Sequence, residues 1–103
     1  MNIETLQKRV YQNKLNKGFN VTDVCMEFCC AHAELGEASD AYIYKNKEDV
    51  GEELADAMIY ILGIAEILKI NLSEKITRKM EKNEKRIYSQ DTNGVWSKVE
   101  GSS

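Results

Sequence analysis

The sequence contains no proline, and only six of its 103 residues are glycine. Folds built from many β-turns and long loops depend on both residues, whereas helices joined by short connections need neither. The length suits one domain and leaves little room for a second. These scarcities exclude a loop-rich architecture and predict an all-α fold.

An excess of basic residues is also absent. Lysine and arginine total 14 against 17 aspartate and glutamate residues, which gives a net charge of −3. A general nucleic-acid binder needs a positive surface to displace counterions from phosphates, so we expect no nucleic-acid polymer as a partner. The sequence has no signal-peptide pattern and no charge-free apolar run that would span a bilayer. We therefore expect a cytoplasmic protein that does not associate with membranes.

Four segments have apolar residues at helical spacing, at about residues 3–16, 22–43, 48–69 and 71–88. A short turn at residues 44–47 predicts that the second and third helices pack antiparallel. The third helix is apolar in nearly every direction from Ala57 to Leu68. It is therefore predicted to be central, with one side against a partner subunit; a buried helix within a monomer is the alternative.

Local signals divide the chain further. Gly18 is suited to end the first helix, and Asn20 or Thr22 to cap the second. Residues 1–88 are predicted to form the helical domain, followed by an irregular C-terminal tail at 89–103. Within that tail, Asn93-Gly94 is a pair typical of a small hairpin turn.

The second helix carries two stripes. The predicted core stripe consists of apolar residues at helical spacing: Val24, Phe28, Ala31, Leu35, Ala38 and Tyr42. An acidic stripe lies beside it: Glu27, Cys30, Glu34, Glu37 and Ala41. The acids are therefore expected at the edge of the core and not on the face opposite it.

Two acidic pairs on consecutive helices carry the strongest chemical signal. Glu34 and Glu37 lie three residues apart, as do Glu53 and Asp56, so each pair projects from one face of its helix. On antiparallel neighbours the pairs can face each other, and four carboxylates beside an apolar core are unfavourable without cations. Oxygen ligands favour Mg²⁺, or Mn²⁺ in its place, and Mg²⁺ completes its shell with water and substrate phosphates. The pattern predicts phosphoryl chemistry.

Acidic pairs on helices also occur as solvated surface groups that form weak salt bridges. On that interpretation the protein is a non-catalytic helical interaction module whose acidic stripe docks a basic partner. Neutralising the four acids distinguishes the two hypotheses. A metal site gains stability without metal and loses metal binding, whereas surface carboxylates change little.

The segments that contain these acids resemble a known family. Residues 32–38 (HAELGEA) and 52–62 (EELADAMIYIL), followed by the basic segment 79–86 (KMEKNEKR), are similar to the MazG-like, all-α nucleoside triphosphate pyrophosphohydrolases. The resemblance extends over about residues 3–88 and gives the tail no family counterpart.

The resemblance implies a four-helix chain that forms a helical-bundle homodimer or dimer of dimers. It also implies hydrolysis of (deoxy)nucleoside triphosphates between the α- and β-phosphates, yielding a monophosphate and pyrophosphate, in nucleotide pool sanitation or control. By the same likeness the Mg²⁺ ligands and catalytic residues are Glu34, Glu37, Glu53 and Asp56. One of these glutamates would also activate the attacking water.

Basic residues on the fourth helix are candidates for phosphate binding. Lys79, Asn83 and Arg86 follow i, i+4, i+7 spacing, so they share a face from which they can bind the β- and γ-phosphates. A solvated basic edge explains the same spacing equally well.

The residues that contact the base are less clear. Many family members have an aromatic residue near the base in the first-helix region, whereas the single tryptophan here, Trp96, lies in the tail. Tyr11 and Phe19 are the candidate substitutes. Lys14 and Lys17, in the same region, are candidates to approach phosphate.

Other metal and nucleophile sites are less favoured. Cys25, Cys29 and His32 share a helix face, but structural zinc takes four ligands and the chain has no further cysteine or histidine except Cys30. A Cys29–His32 dyad within one helix face is equally unsuited to nucleophilic catalysis. A di-iron bundle site needs two Glu-x-x-His pairs, which one histidine excludes.

Overall fold

The computed structural model describes residues 2–44 and 49–99. Four helices, α1 (Ile3–Lys17), α2 (Val24–Tyr44), α3 (Val50–Ile67) and α4 (Leu72–Lys85), precede two short strands, β1 (Tyr88–Gln90) and β2 (Trp96–Lys98). The all-α prediction is confirmed for the four helical segments. The fourth helix ends at Lys85 and not near residue 88, and the predicted turn at 44–47 falls mostly outside the described residues.

The chain divides into two compact units. Residues 1–72 contain the first three helices, and residues 73–103 contain most of α4 together with the strand pair. Within residues 2–44 and 49–99, no helix is both long and apolar enough to cross a bilayer.

Side-chain caps and one glycine set the helix ends. The Asn2 side chain accepts a hydrogen bond from the Thr5 amide (2.8 Å) at the start of α1. Gly18 ends the helix in a left-handed conformation (φ 72°), as predicted. At the start of α2 the side chain that accepts from the helix is that of Asp23, which binds the Met26 amide (3.0 Å). The prediction of Asn20 or Thr22 as the cap is therefore wrong.

Helix α3 is central to the first unit, as predicted, because both α1 and α2 pack against it. Glu34 of α2 lies beside Glu53, whereas Cys30, one turn earlier in α2, contacts Tyr60, two turns later in α3. Since the two helices meet in opposite chain order, they are antiparallel. The predicted arrangement of α2 and α3 is confirmed.

Helix α1 is attached to the far end of α3 by a buried amide. Gln7 donates to the carboxylate of Glu66 (2.9 Å) and to the carbonyl of Ile70 (2.6 Å), and its oxygen accepts from the Leu72 amide (3.4 Å). Each end of the Gln7 amide is therefore satisfied, which makes its burial favourable.

The buried apolar core consists of four alanines and two larger residues, which are Ala38, Ala41, Ala57, Ala65, Leu62 and Ile64. The predicted core stripe of α2 is correct for Ala38, which is buried, and wrong for Phe28, Leu35 and Tyr42, which are 47%, 54% and 74% exposed. In the acidic stripe, Glu27 is buried (3% exposed), whereas Glu37 is exposed. Alanines allow two helices to approach closely, and the larger apolar residues are left on an outer face.

That outer face forms an apolar groove of about 550 Å³ between α2 and α3. The α2 wall contains Phe28, His32 and Leu35, and the α3 wall contains Met58 and Ile61. Exposed apolar surface of this extent on a small domain is typical of an interaction surface.

The tail expected to be irregular contains a hairpin in its described part. Strands β1 and β2 pair antiparallel, with Gln90 opposite Trp96. The Asp91 carboxylate accepts from the amides of Asn93 (2.8 Å) and Val95 (2.9 Å), and Gly94 has φ 84°. The hairpin alternative indicated by Asn93-Gly94 is therefore the correct one.

Candidate metal centre and the adjoining cavity

Three glutamates from two helices converge on one point. One carboxylate oxygen from each of Glu34, Glu37 and Glu53 lies within 4.8 Å of the others. Glu34 and Glu53 are half-buried, and Glu37 is exposed. Ligand oxygens on opposite sides of an octahedral Mg²⁺ are about 4.2 Å apart, since each bond is about 2.1 Å long. The cluster therefore has the dimensions and the oxygen donors of a hard divalent cation site.

Burial and neighbouring carboxylates both act on the pKa of Glu34. Burial raises the pKa of its carboxyl above the ordinary value of 4.5; the charge of Glu37, a hydrogen bond to Glu37 and the charge of Asp56 raise this pKa further. A cation between the carboxylates would reverse this effect, because an opposite charge favours the ionised form. The electrostatics of the cluster thus favour a bound cation.

Asp56 lies at the border of this cluster. It is exposed and is close enough for its charge to act on Glu34, but it is not among the three residues whose oxygens converge. Of the four acids predicted as ligands, the structure brings three together and places the fourth beside them.

Tyr60 faces the same cluster and is absent from the sequence predictions. Burial raises the pKa of its phenol, and interactions with Cys30, Glu27 and Glu34 raise it further; the Cys30 interaction includes a hydrogen bond. Tyr60 lies one turn after Asp56 on α3, so i, i+4 spacing from the acidic pair was the signal that could have found it.

A cavity of about 600 Å³ opens on the other side of Tyr60, between α1 and α3. Its lining combines the rings of Tyr60 and Phe19 with the amides of Asn13 and Asn16. Because Tyr60 belongs to both the cavity wall and the surroundings of Glu34, the cavity adjoins the acidic cluster. An apolar hollow with a few polar groups is typical of a small-molecule site.

Of the residues predicted in this region to contact the base or the phosphates, some line the cavity and others lie outside it. Phe19 lines the cavity and is 55% exposed. Lys17 is exposed in the last turn of α1 and lies outside the cavity lining. Tyr11 also lies outside it, with its ring 5.7 Å from the Lys69 ammonium.

Lys14 forms a buried ion pair with Glu27 of α2, and their side chains are 8% and 4% exposed. The ammonium also lies 5.6 Å from the centre of the Tyr60 ring. Its charge is thus compensated inside the protein. Lys14 also lines the cavity, and its approach to phosphate stays a prediction.

The second unit contains the predicted phosphate-binding residues. Arg86 lies just beyond the end of α4 and donates to the Asn83 side chain (3.0 Å). Lys79 and Asn83 are exposed, and Arg86 is half-buried. The structure brings Asn83 and Arg86 together, and the phosphate-binding role of all three residues stays a prediction.

Comparison with known proteins places the chain in a family. The model of the MazG-like family matches residues 27–100, which include most of α2 and all of α3, α4 and the hairpin. The chain therefore belongs to the MazG-like family. The match also includes most of the tail, for which the sequence indicated no family counterpart.

Among solved structures, the chain is similar to a cyanophage S-2L MazG-like pyrophosphohydrolase bound to dGDP and three catalytic Mn²⁺ ions per active site. The TM-score is 0.60, with 23% sequence identity, and the match covers 99% of this chain and 96% of that one. At this identity the similarity establishes a common fold. A search of curated proteins gives no match.

Proposed function

We propose that the protein is a nucleotide pyrophosphohydrolase that hydrolyses (deoxy)nucleoside triphosphates between the α- and β-phosphates, releasing a monophosphate and pyrophosphate. The convergence of Glu34, Glu37 and Glu53 is the observation that carries the proposal. Membership of the MazG-like family and the fold shared with a MazG-like pyrophosphohydrolase support it. The proposed role is sanitation or control of the nucleotide pool, in the cytoplasm, where such substrates are used.

Mg²⁺ is the proposed cofactor, with Mn²⁺ as a substitute. Glu34, Glu37, Glu53 and Asp56 would hold it, and their oxygen donors fit a hard cation. When bound, such an ion neutralises phosphate charge and acidifies coordinated water. One of the glutamates orients the attacking water or accepts its proton.

The nucleoside is proposed to occupy the cavity beside the cluster. Phe19 and Tyr60 present ring faces for stacking, and the amides of Asn13 and Asn16 offer hydrogen bonds to polar edges. Lys14 is already paired with Glu27, and Arg9 is a second cation in the lining of the cavity. The triphosphate is then directed toward the carboxylate cluster.

Cationic side chains outside the cavity are proposed to bind the phosphates. Lys79 and Arg86, with the amide of Asn83, supply donors for the β- and γ-phosphates. Lys17 is a further candidate at the end of α1. Each of these groups lowers the repulsion that leaving pyrophosphate would otherwise experience.

Self-association through the α2–α3 groove is proposed as well, as a dimer or a dimer of dimers. The groove contains large apolar side chains that a single chain leaves accessible, including Phe28, Leu35 and Met58. Covering such a surface is favourable by about 25 cal/mol per Å² of apolar area.

A product analysis tests the proposed activity. Purified protein with Mg²⁺ and a panel of nucleoside triphosphates is expected to release pyrophosphate and a monophosphate, not orthophosphate. Replacing Glu53 by glutamine should lower kcat/KM at least about 100-fold, because loss of a group that merely supports a metal ligand costs about 10–100-fold.

Glu52→Gln is the matched control, since Glu52 is an exposed neighbour on the same helix and lies outside the cluster. It should retain activity within about threefold, the scale of an exposed charge change. Absence of pyrophosphate release from every nucleotide, together with no effect of Mg²⁺ or Mn²⁺ on the melting temperature, would refute the proposal.

A further inference from the structure

The loop between α1 and α2 is attached to the buried ion pair through a single asparagine. Asn20 donates from its side-chain nitrogen to Glu27 Oε2 (3.1 Å), and its backbone carbonyl accepts from Lys14 Nζ (3.3 Å). Lys14 and Glu27 bind each other directly, so the three residues form a closed set, which we call the clamp. The clamp joins the end of α1 to the start of α2.

Asn20 also organises the loop itself. Its side-chain oxygen accepts from the amides of Thr22 (3.3 Å) and Asp23 (3.0 Å), and its side-chain nitrogen donates to the Asp23 carbonyl (2.8 Å). The Asn20 side chain therefore links the backbone of the loop to the buried carboxylate of Glu27. Such networks favour a unique geometry when every member is satisfied.

The clamp is also held against α3. A Cβ atom at Gly63 would lie 3.0 Å from Cε of Lys14, so glycine is what lets the lysine stem lie against this helix. The Lys14 ammonium lies near the ring of Tyr60, whose hydroxyl is hydrogen-bonded with Cys30 and is close enough for the charge of Glu34 to act on it. The clamp thus connects the loop to α3, which is the helix that carries Glu53.

Phe19 directly precedes Asn20 and forms part of the cavity wall. Its amide donates to the Lys14 carbonyl (2.9 Å), but its ring is 55% exposed, so packing alone holds it weakly. We propose that the Lys14–Glu27–Asn20 clamp positions Phe19, and with it the nucleoside, relative to the carboxylate cluster. Asn20 is the positioning residue of this set. The inference rests on the proposed function for its nucleoside but not for the position of Phe19.

Two substitutions at Asn20 test the clamp while leaving the Lys14–Glu27 pair in place. Asn20→Ala removes every hydrogen bond of the Asn20 side chain. Asn20→Asp keeps an oxygen for the Thr22 and Asp23 amides, but it loses the nitrogen that donates to Glu27 and to the Asp23 carbonyl, and it turns a carboxylate toward Glu27. The bond from Lys14 to the Asn20 backbone carbonyl remains available in both variants. Both should raise KM about tenfold or more with kcat within about threefold, since a lost contact to the nucleoside weakens binding of ground state and transition state alike.

Asn2→Ala is the matched control. Asn2 caps the opposite end of the same helix, so its loss lowers the melting temperature without touching the clamp. Its KM should equal that of the unmodified protein. A KM increase of the same size in Asn2→Ala would overturn the proposal, because KM would then depend on overall stability and not on the clamp. An unchanged KM in both Asn20 variants would overturn it as well, because the clamp would then have no effect on nucleoside binding.

A second measurement is independent of activity. The chain has two phenylalanines, Phe19 and Phe28, so fluorophenylalanine labelling gives two ¹⁹F resonances, assigned with Phe19→Leu. In both Asn20 variants the Phe19 resonance should move toward its position in the unfolded protein, while that of Phe28, in the α2–α3 groove, stays in place.

The two measurements separate the hypotheses. An unchanged Phe19 resonance in folded Asn20 variants would refute the clamp whatever the activity. Absence of pyrophosphate release by the unmodified protein would instead refute the proposed function, and the ¹⁹F spectra would still decide whether Asn20 positions Phe19.

Discussion

Replacing Lys14 by methionine should destabilise the protein far more than replacing Lys14 and Glu27 together. The two side chains are 8% and 4% exposed, so removal of the ammonium leaves a carboxylate buried without its counter-charge. Breaking a buried pair in this way costs about 3–5 kcal/mol. A small domain has a total stability of about 5–15 kcal/mol, so the single variant should lose a large part of it.

The double variant Lys14→Met/Glu27→Met removes both charges and keeps side chains of similar volume. Such replacements are often neutral or stabilising by about 1–4 kcal/mol. The Asn20 amide then lacks its acceptor on Glu27, which costs about 1–3 kcal/mol, so the double variant should lie within about 2 kcal/mol of the original protein.

Urea unfolding followed by circular dichroism at helical wavelengths measures these free energies, and a double-mutant cycle gives the coupling between the two side chains. At about 4–8 °C per kcal/mol, the single variant should also melt at least about 12 °C lower. A loss below about 1 kcal/mol in Lys14→Met, which is the value of an exposed pair, would show that the pair is not buried in solution.

Two further predictions concern the acidic cluster and the groove. The pKa of Glu34 is raised in the folded state, so ionisation of this group lowers the stability of the metal-free protein as pH rises above about 4.5. Glu34→Gln should therefore flatten this pH dependence and raise the melting temperature near neutral pH. The same variant should lose most of the stabilisation that Mn²⁺ or Mg²⁺ gives. Ile61→Glu places a charge in the α2–α3 groove and should shift the protein toward monomer in light scattering, whereas Leu15→Glu, at an exposed site of α1 outside the groove, should not.

Each of these predictions has a contradicting outcome. If Glu34→Gln melts lower than the original protein without metal at pH 7, the carboxylates do not repel one another. If Ile61→Glu and Leu15→Glu give the same mass as the original protein, the groove is not the surface through which copies of the chain associate.

Much of the fold follows from local sequence signals. The helices were predictable because apolar residues repeat at helical spacing, and Gly18 was recognisable as a helix end because glycine adopts the left-handed conformation without a steric penalty. The pairing of Glu34 with Glu37 needs only three-residue spacing on one helix. The approach of Glu53 to this pair needed one further step, the short α2–α3 connection that makes the helices antiparallel.

Other features depend on contacts between distant parts of the chain. Lys14 and Glu27 look like ordinary surface charges in sequence, and only their packing against α3 beside Gly63 shows a buried pair. Tyr60 likewise reads as one more residue of an apolar helix until its hydroxyl is found beside Cys30 and Glu34.

The sequence by itself determined which residues share a helix face, because that depends only on the rise and rotation of one helix. Which residues of each face are covered was decided by the tertiary structure, and for part of α2 it differed from the expectation. Glu27 and Ala41 turn inward, while Phe28 and Leu35 remain outside. The physical reason is that alanine-rich faces let α2 and α3 pack closely, and a buried carboxylate is tolerated only where a lysine from another helix reaches it.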